Sequence, residues 1–276
     1  MHDTKTNTNN NLHKHKKQCE EHLQRVAKLY DEKLFKQPSQ LEDCPICMIQ
    51  LPTLESGRTY MSCCGKVICD GCIHAVQSRA AKEEDDVCPF CRTPPPEDEE
   101  LVQRYEKRLE LDDALAIHNM GCHYAEGQLE LPQNMAKALE FWHQAADLGH
   151  ARAYTNIGNA YLDGRGVEVD MKEAVHYWEL AAMGGNAEAR RNLGINEWEV
   201  GNMDRALKHW MIAVKNGDAE SLRNIKRVFK DGHATKDDYA NALRSYQAYL
   251  DEVKSDQRDE AAAAKDIYKY YDSILG

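Results

Sequence analysis

The stretch Met171–Gly185, "MKEAVHYWELAAMGG", decides the fold of most of this chain, because it recurs. "MAKALEFWHQAADLG" (Met135–Gly149) and "MDRALKHWMIAVKNG" (Met203–Gly217) repeat it, and "DYANALRSYQAYL" (Asp238–Leu250) is a fainter fourth copy. Trp142 and Trp178 are 36 residues apart, Trp178 and Trp210 are 32 apart, and Ala138, Ala174, Ala206 and Ala242 keep spacings of 36, 32 and 36. Upstream of the first three copies stands a partner motif: "HNMGCHYAEG" (His118–Gly127), "TNIGNAYLDGRG" (Thr155–Gly166) and "RNLGINEWEVG" (Arg191–Gly201). Two amphipathic helices, turned by glycine and repeated at this period, make a helical hairpin that cannot bury its apolar stripe alone, so neighbours stack into a solenoid. Gly121, Gly158 and Gly194 are expected to let helices approach, with Trp142, Trp178 and Trp210 filling the space between hairpins. Leu101, Tyr105 and Leu109 in "EELVQRYEKRLELDDALA" continue the second-helix pattern and predict a leading half-repeat.

These copies resemble the Sel1-like repeats, relatives of the tetratricopeptide repeat, over about residues 98–250. "LDGRGVEVDMKEAVHYWELAA" (Leu162–Ala182) carries the resemblance most fully. It implies a scaffold that binds a protein substrate or partner on its helical repeats.

A second signal lies upstream. Eight of the ten cysteines fall between Cys44 and Cys91: Cys44-x-x-Cys47, the adjacent Cys63 and Cys64, Cys69-x-x-Cys72, and Cys88-x-x-Cys91. A Cys-x-x-Cys turn presents two thiolates on one side of a knuckle, and zinc takes four such ligands tetrahedrally, so eight sulfurs make two complete sites. A structural zinc contributes roughly 10–16 kcal/mol in small domains, enough to determine a fold whose core is too small to stand alone. Spacing alone does not say which pairs share a metal.

The pattern "CPIC…CCGKVICDGC…CPFCR" resembles a RING domain, a cross-brace α+β module. By that resemblance Cys44, Cys47, Cys69 and Cys72 hold one zinc, and Cys63, Cys64, Cys88 and Cys91 hold the other. Where the common pattern has histidine this chain has Lys66, whose ammonium offers no lone pair; Cys64 stands in, as in all-cysteine variants. His74 is the one nearby histidine able to compete, and it sits on an expected helix, Ile73–Lys82. The resemblance further implies a ubiquitin ligase that recruits a ubiquitin-conjugating enzyme without a covalent intermediate, so no catalytic residue is sought. Ile46 would anchor that enzyme, with Pro89 and Val76 beside it, and Arg92 would bridge enzyme and ubiquitin through its planar fork. The alternative is a zinc-stabilised scaffold without ligase activity. FYVE-type and PHD-type modules fit less well: a basic histidine-rich patch is missing, and Val87 precedes the last pair.

The expected organisation is a disordered tail over 1–17, an amphipathic helix over 18–37, the zinc module over 40–94, the repeats over 95–250 and a C-terminal helix over 251–276. The helix over 18–37 rests on Leu23, Val26, Leu29, Tyr30, Leu34 and Phe35 at helical spacing, and Pro38 is expected to stop it. "TPPPEDEE" (Thr93–Glu100) reads as a stiff linker into an acidic first helical turn. A formal charge of −11 disfavours attraction to nucleic acid or anionic membranes. No apolar run reaches bilayer length and no secretory signal is recognisable, so a cytoplasmic or nuclear location is expected. No phosphate loop or nucleophile arrangement points to a metabolic enzyme.

Overall fold

The computed structural model describes residues 3–37, 42–53, 56–79 and 87–271. The chain divides into two units, 1–37 and 38–276. The first is one helix, α1 (Asp3–Leu34). It takes in most of the stretch expected as a tail, because no proline or glycine interrupts residues 1–37. The pairs Lys17–Glu21 and Lys28–Glu32, each at i,i+4, line it, and Leu23, Val26 and Leu29 lie exposed along it. Pro38, read as its stop, lies outside the described residues.

The second unit begins with a two-stranded antiparallel sheet, β1 (Arg58–Met61) and β2 (Lys66–Cys69), in which Arg58 faces Cys69 and Met61 faces Lys66. A short helix α2 (Asp70–Gln77) follows. It starts earlier than expected, directly at Cys69, because the buried Asp70 carboxylate ties it back to β1. Its oxygens accept from the Gly57 amide at 3.0 Å and the Thr59 hydroxyl at 2.7 Å. The helix stops at Gln77; residues 80–82 of the expected span lie outside the described residues.

The rest is helical. After α3 (Asp98–Leu109) come four hairpins: α4 (Ala114–Glu126) with α5 (Met135–Asp147), α6 (Ala151–Asp163) with α7 (Met171–Met183), α8 (Ala187–Glu199) with α9 (Met203–Lys215), and α10 (Ala219–Lys230) with α11 (Lys236–Val253). This is a helical-repeat solenoid. Side-chain caps start most of these helices: Asp113, Asn134, Asp170, Asn186 and Asp218 each accept an amide of the first turn, and Thr235 forms a reciprocal capping box with Asp238. No helix among the described residues is long and apolar enough to cross a membrane.

The tryptophans work within hairpins rather than between them. A Cβ on Gly158 would lie 2.6 Å from Cδ1 of Trp178, one on Gly121 2.6 Å from Trp142, and one on Gly194 2.3 Å from Nε1 of Trp210. Each indole thus lies against bare backbone of its own partner helix, and the alanines below it (Ala138, Ala174, Ala206) are fully buried. Burying an indole withdraws about 200 Å² from water, worth about 5 kcal/mol before entropy is counted. α3 packs Leu101, Tyr105 and Leu109 onto the first hairpin's core.

The C-terminal segment is not one helix. After α11 the backbone is extended at Lys254, the Ser255 hydroxyl caps α12 (Asp256–Ala264), and the chain extends again at Lys265 before a 3-10 turn, Asp266–Tyr268. These breaks let α12 leave the solenoid and pack against α2.

Candidate metal centres

Two loops of like construction carry the outer cysteine pairs. In the first, the Cys44 carbonyl accepts from the Met48 amide and the Cys44 amide donates to the Ile49 carbonyl, both at 2.9 Å. In the second, the Cys88 carbonyl accepts from Arg92 and the Cys88 amide donates to Thr93, again at 2.9 Å. Met48 (φ 57°) and Arg92 (φ 63°) each take the left-handed conformation that closes the knuckle. Each loop has proline after its first cysteine, fixing φ where no amide donor is needed. The inner pairs come from the β1–β2 turn, which supplies Cys63 and Cys64, and from the start of α2, which supplies Cys69 and Cys72.

The fold brings the thiols into two groups. Cys44, Cys47, Cys69 and Cys72 lie together, as do Cys63, Cys64, Cys88 and Cys91, all sulfurs of a group within 4.8 Å of one another. Each group can hold a metal ion. Four sulfurs at about 2.3 Å from a tetrahedral zinc would stand about 3.8 Å apart. The separations are 4.0 Å for Cys44–Cys72, 3.8 Å for Cys47–Cys69, 3.9 Å for Cys64–Cys88 and 3.3 Å for Cys63–Cys91. Those distances fit a shared cation and are too long for disulfides. Burial pushes the Cys63 and Cys64 thiols up from their ordinary value, a cost that a bound cation reverses by favouring thiolate. The donor set therefore suits a closed site for a thiophilic metal.

Lys66 and His74 belong to neither group. Lys66 points over the Phe90 ring, 5.8 Å from its centroid, and His74 meets the Tyr268 ring edge-on at 5.9 Å. Among the residues expected to contact a conjugating enzyme, Ile46 is 41% exposed at the tip of the first knuckle and Arg92 is exposed on the second. Pro89 and Val76 are half-buried. At 100° per residue, Val76 lies on the side of α2 away from Gly71, the residue that meets α12. Phe90, 46% exposed, occupies in Cys88–Cys91 the place Ile46 has in Cys44–Cys47; the twin "CPIC" and "CPFC" motifs carried that signal.

Sequence reading missed how firmly both groups are tied to the solenoid. At its front end, Arg108 of α3 donates to the Ser62 carbonyl at 3.3 Å and the Cys63 carbonyl at 3.1 Å. Beside it the Tyr60 hydroxyl donates to the Asp113 carboxylate at 2.7 Å, and Tyr60 stacks on Tyr105. At the far end, the Thr53 hydroxyl donates to the Asn216 carbonyl at 2.7 Å while its amide donates to the Tyr249 hydroxyl at 3.0 Å. From α12, the guanidinium of Arg258 donates to the carbonyls of Gln50 at 2.7 Å and Ile49 at 3.2 Å, and meets the Cys47 sulfur at 3.9 Å. The cysteine module thus touches the first and the last helices of the array, which must curve around it to make both contacts.

Residues 114–150 and 151–186, the α4–α5 and α6–α7 hairpins with their turns, match the Sel1 repeat family model. Those two hairpins of the solenoid are Sel1 repeats. The family match does not extend to the cysteine block. No curated protein matches the chain significantly. Among solved structures, it is similar to a Sel1 repeat protein from Oxalobacter formigenes: 24% identity, over 61% of this chain and 71% of that one, TM-score 0.47. It is similar also to c5321, a protective antigen of uropathogenic Escherichia coli strains displaying an SLR fold: 19% identity, over 74% of this chain and 45% of that one, TM-score 0.49. The chain spans less than half the length of the latter.

Proposed function

We propose that this protein is a zinc-stabilised scaffold for protein–protein interaction, its cysteine module fixed against a Sel1 repeat array that takes the protein partner. One observation carries the reading: two four-thiol groups of closed-site geometry are hydrogen-bonded to both ends of the array. Four protein thiolates leave zinc no open position, so such sites act by shaping structure rather than by activating a substrate. Stripping metal with a chelator should therefore lower the melting temperature of the module and array together, in one shared transition. Two independent transitions would contradict the scaffold.

A second reading is a RING-type ubiquitin ligase. It is supported by the interleaved grouping, first pair with third and second with fourth, and by Ile46 and Arg92 standing exposed on the two knuckles. A ubiquitin-chain assay on the purified full chain with a broad panel of conjugating enzymes separates the two. The scaffold predicts no chains. Chains that form with the native protein and slow in Arg92→Ala would establish the ligase.

A further inference from the structure

α12 lies over 160 residues beyond Cys91, the last of the eight clustered cysteines, yet it contributes to the first thiol group. Arg258 is 1% exposed, and among the described residues no carboxylate pairs with its guanidinium; its acceptors are the carbonyls of Ile49, Gln50 and Val253 and the sulfur of Cys47. Ile49 and Gln50 continue the knuckle that presents Cys44 and Cys47. Next to it, the Gln257 amide oxygen lies 3.7 Å from the Cys72 sulfur, so two ligands of one group meet consecutive residues of α12. The approach is close: a Cβ on Gly71 would stand 2.8 Å from the Arg258 backbone nitrogen. The second group is built differently. Arg108 reaches the carbonyls of Ser62 and Cys63 but no thiol; Cys88 is buried there, but Cys63 and Cys64 are half-buried and Cys91 is exposed, whereas in the first group Cys44, Cys69 and Cys72 are buried and Cys47 alone is half-buried.

A buried guanidinium with no carboxylate partner is costly unless something anionic compensates it. Four thiolates around a divalent cation carry a net charge of about −2, which is the compensation this position lacks otherwise. We propose that Arg258 is a positioning residue of the Cys44/Cys47/Cys69/Cys72 site. It holds the knuckle by its carbonyls and the Cys47 thiolate by an N–H, so that the C-terminal helix, and not the cysteines alone, sets how long that site keeps its metal. The two sites are thereby unequal: the Cys63/Cys64/Cys88/Cys91 site exchanges metal fast, the other slowly. Outer-shell donors of this kind typically change metal affinity by 10–100-fold.

This rests on the metal-binding reading above, and the test separates the two. Full-length protein loaded with zinc is mixed with a chromophoric chelator, and thiols freed in each phase are alkylated and located by mass spectrometry. The native chain should release in two phases, first from Cys63, Cys64, Cys88 and Cys91. Arg258→Met should accelerate only the slow phase, by 10-fold or more, and Arg258→Lys should restore part of it. With cobalt in place of zinc, Arg258→Met should also shift the sulfur-to-cobalt charge-transfer band to lower energy, which a purely structural role would not do. A slow phase unchanged in Arg258→Met, or both phases accelerated equally, overturns the proposal. Should Arg258→Met fail to fold, Arg258→Lys alone decides: a slow phase at the native rate with an unshifted cobalt band overturns it. A chain that binds no metal at any stage defeats the metal reading instead.

Discussion

Gly158→Ala separates helix propensity from packing. The residue sits in the middle of α6, where alanine is ordinarily worth about 1 kcal/mol more than glycine. Packing points the other way. The new methyl would stand 2.6 Å from Cδ1 and 2.7 Å from Nε1 of Trp178, and 3.0 Å from the Ala174 carbonyl oxygen. To reach ordinary contact the indole must retreat by nearly 1 Å. It is 3% exposed, and its Nε1–H donates to Asn159 at 3.0 Å, so retreat strains both the core and that bond. Overpacking costs about 1–3 kcal/mol and a lost hydrogen bond about 1 more. After the propensity gain, the expected net loss is about 1–3 kcal/mol, or a fall in Tm of several degrees for a unit of this size. Urea unfolding of the metal-loaded chain, followed by far-ultraviolet circular dichroism, measures it. Gly158→Ala equal to or more stable than the native protein would refute the claim that the indole bears on bare backbone.

Further expectations follow from other contacts. Cys64→Ser should reduce bound zinc from two ions to one while Lys66→Ala leaves two; native mass spectrometry reads both, and zinc loss in Lys66→Ala would move the ligand assignment. Tyr249→Phe leaves the Thr53 amide without its acceptor at the seam between module and array, at a cost of about 1–2 kcal/mol in denaturant unfolding; no loss would show the seam contributes nothing. The imidazole of His118, almost wholly buried, has its pKa lowered to about 4 by that burial. Its folded pKa lies below the unfolded value near 6.5, so the unfolded chain takes the proton first and stability falls as pH drops from 6.5 toward 4. Between pH 7 and 5, His118→Asn should lose about 2 kcal/mol less than the native chain, and identical losses would contradict the burial argument.

The repeat was legible because the first three copies place Trp, Ala and Gly at matching positions and the fourth keeps the Ala, and a helical period carries through 36 or 32 residues without help from the rest of the chain. The partner of each indole was not: periodicity places Trp178 on an inward face but does not say whether Gly158 or the next hairpin receives it. The cysteine knuckles were legible for the same local reason, since a Cys-x-x-Cys loop is made by a few residues and their own hydrogen bonds; which pairs share a group is not local and came only from the resemblance. The attachment of that module was not legible. Arg258 lies 208 residues from Gln50, in "DQRDEAAAA", where it reads as one more solvated charge. Contacts between two non-repeating segments leave no period to find. The alanines at 261–264 were the one hint that α12 packs closely against something.

The central claim is that eight thiolates around two closed metal ions shape the module that the array embraces. Native mass spectrometry of the folded, reduced protein, with elemental analysis, tests it most directly. Two zinc ions per chain are predicted, both lost with the fold of the module at acid pH; a folded chain carrying none would contradict it.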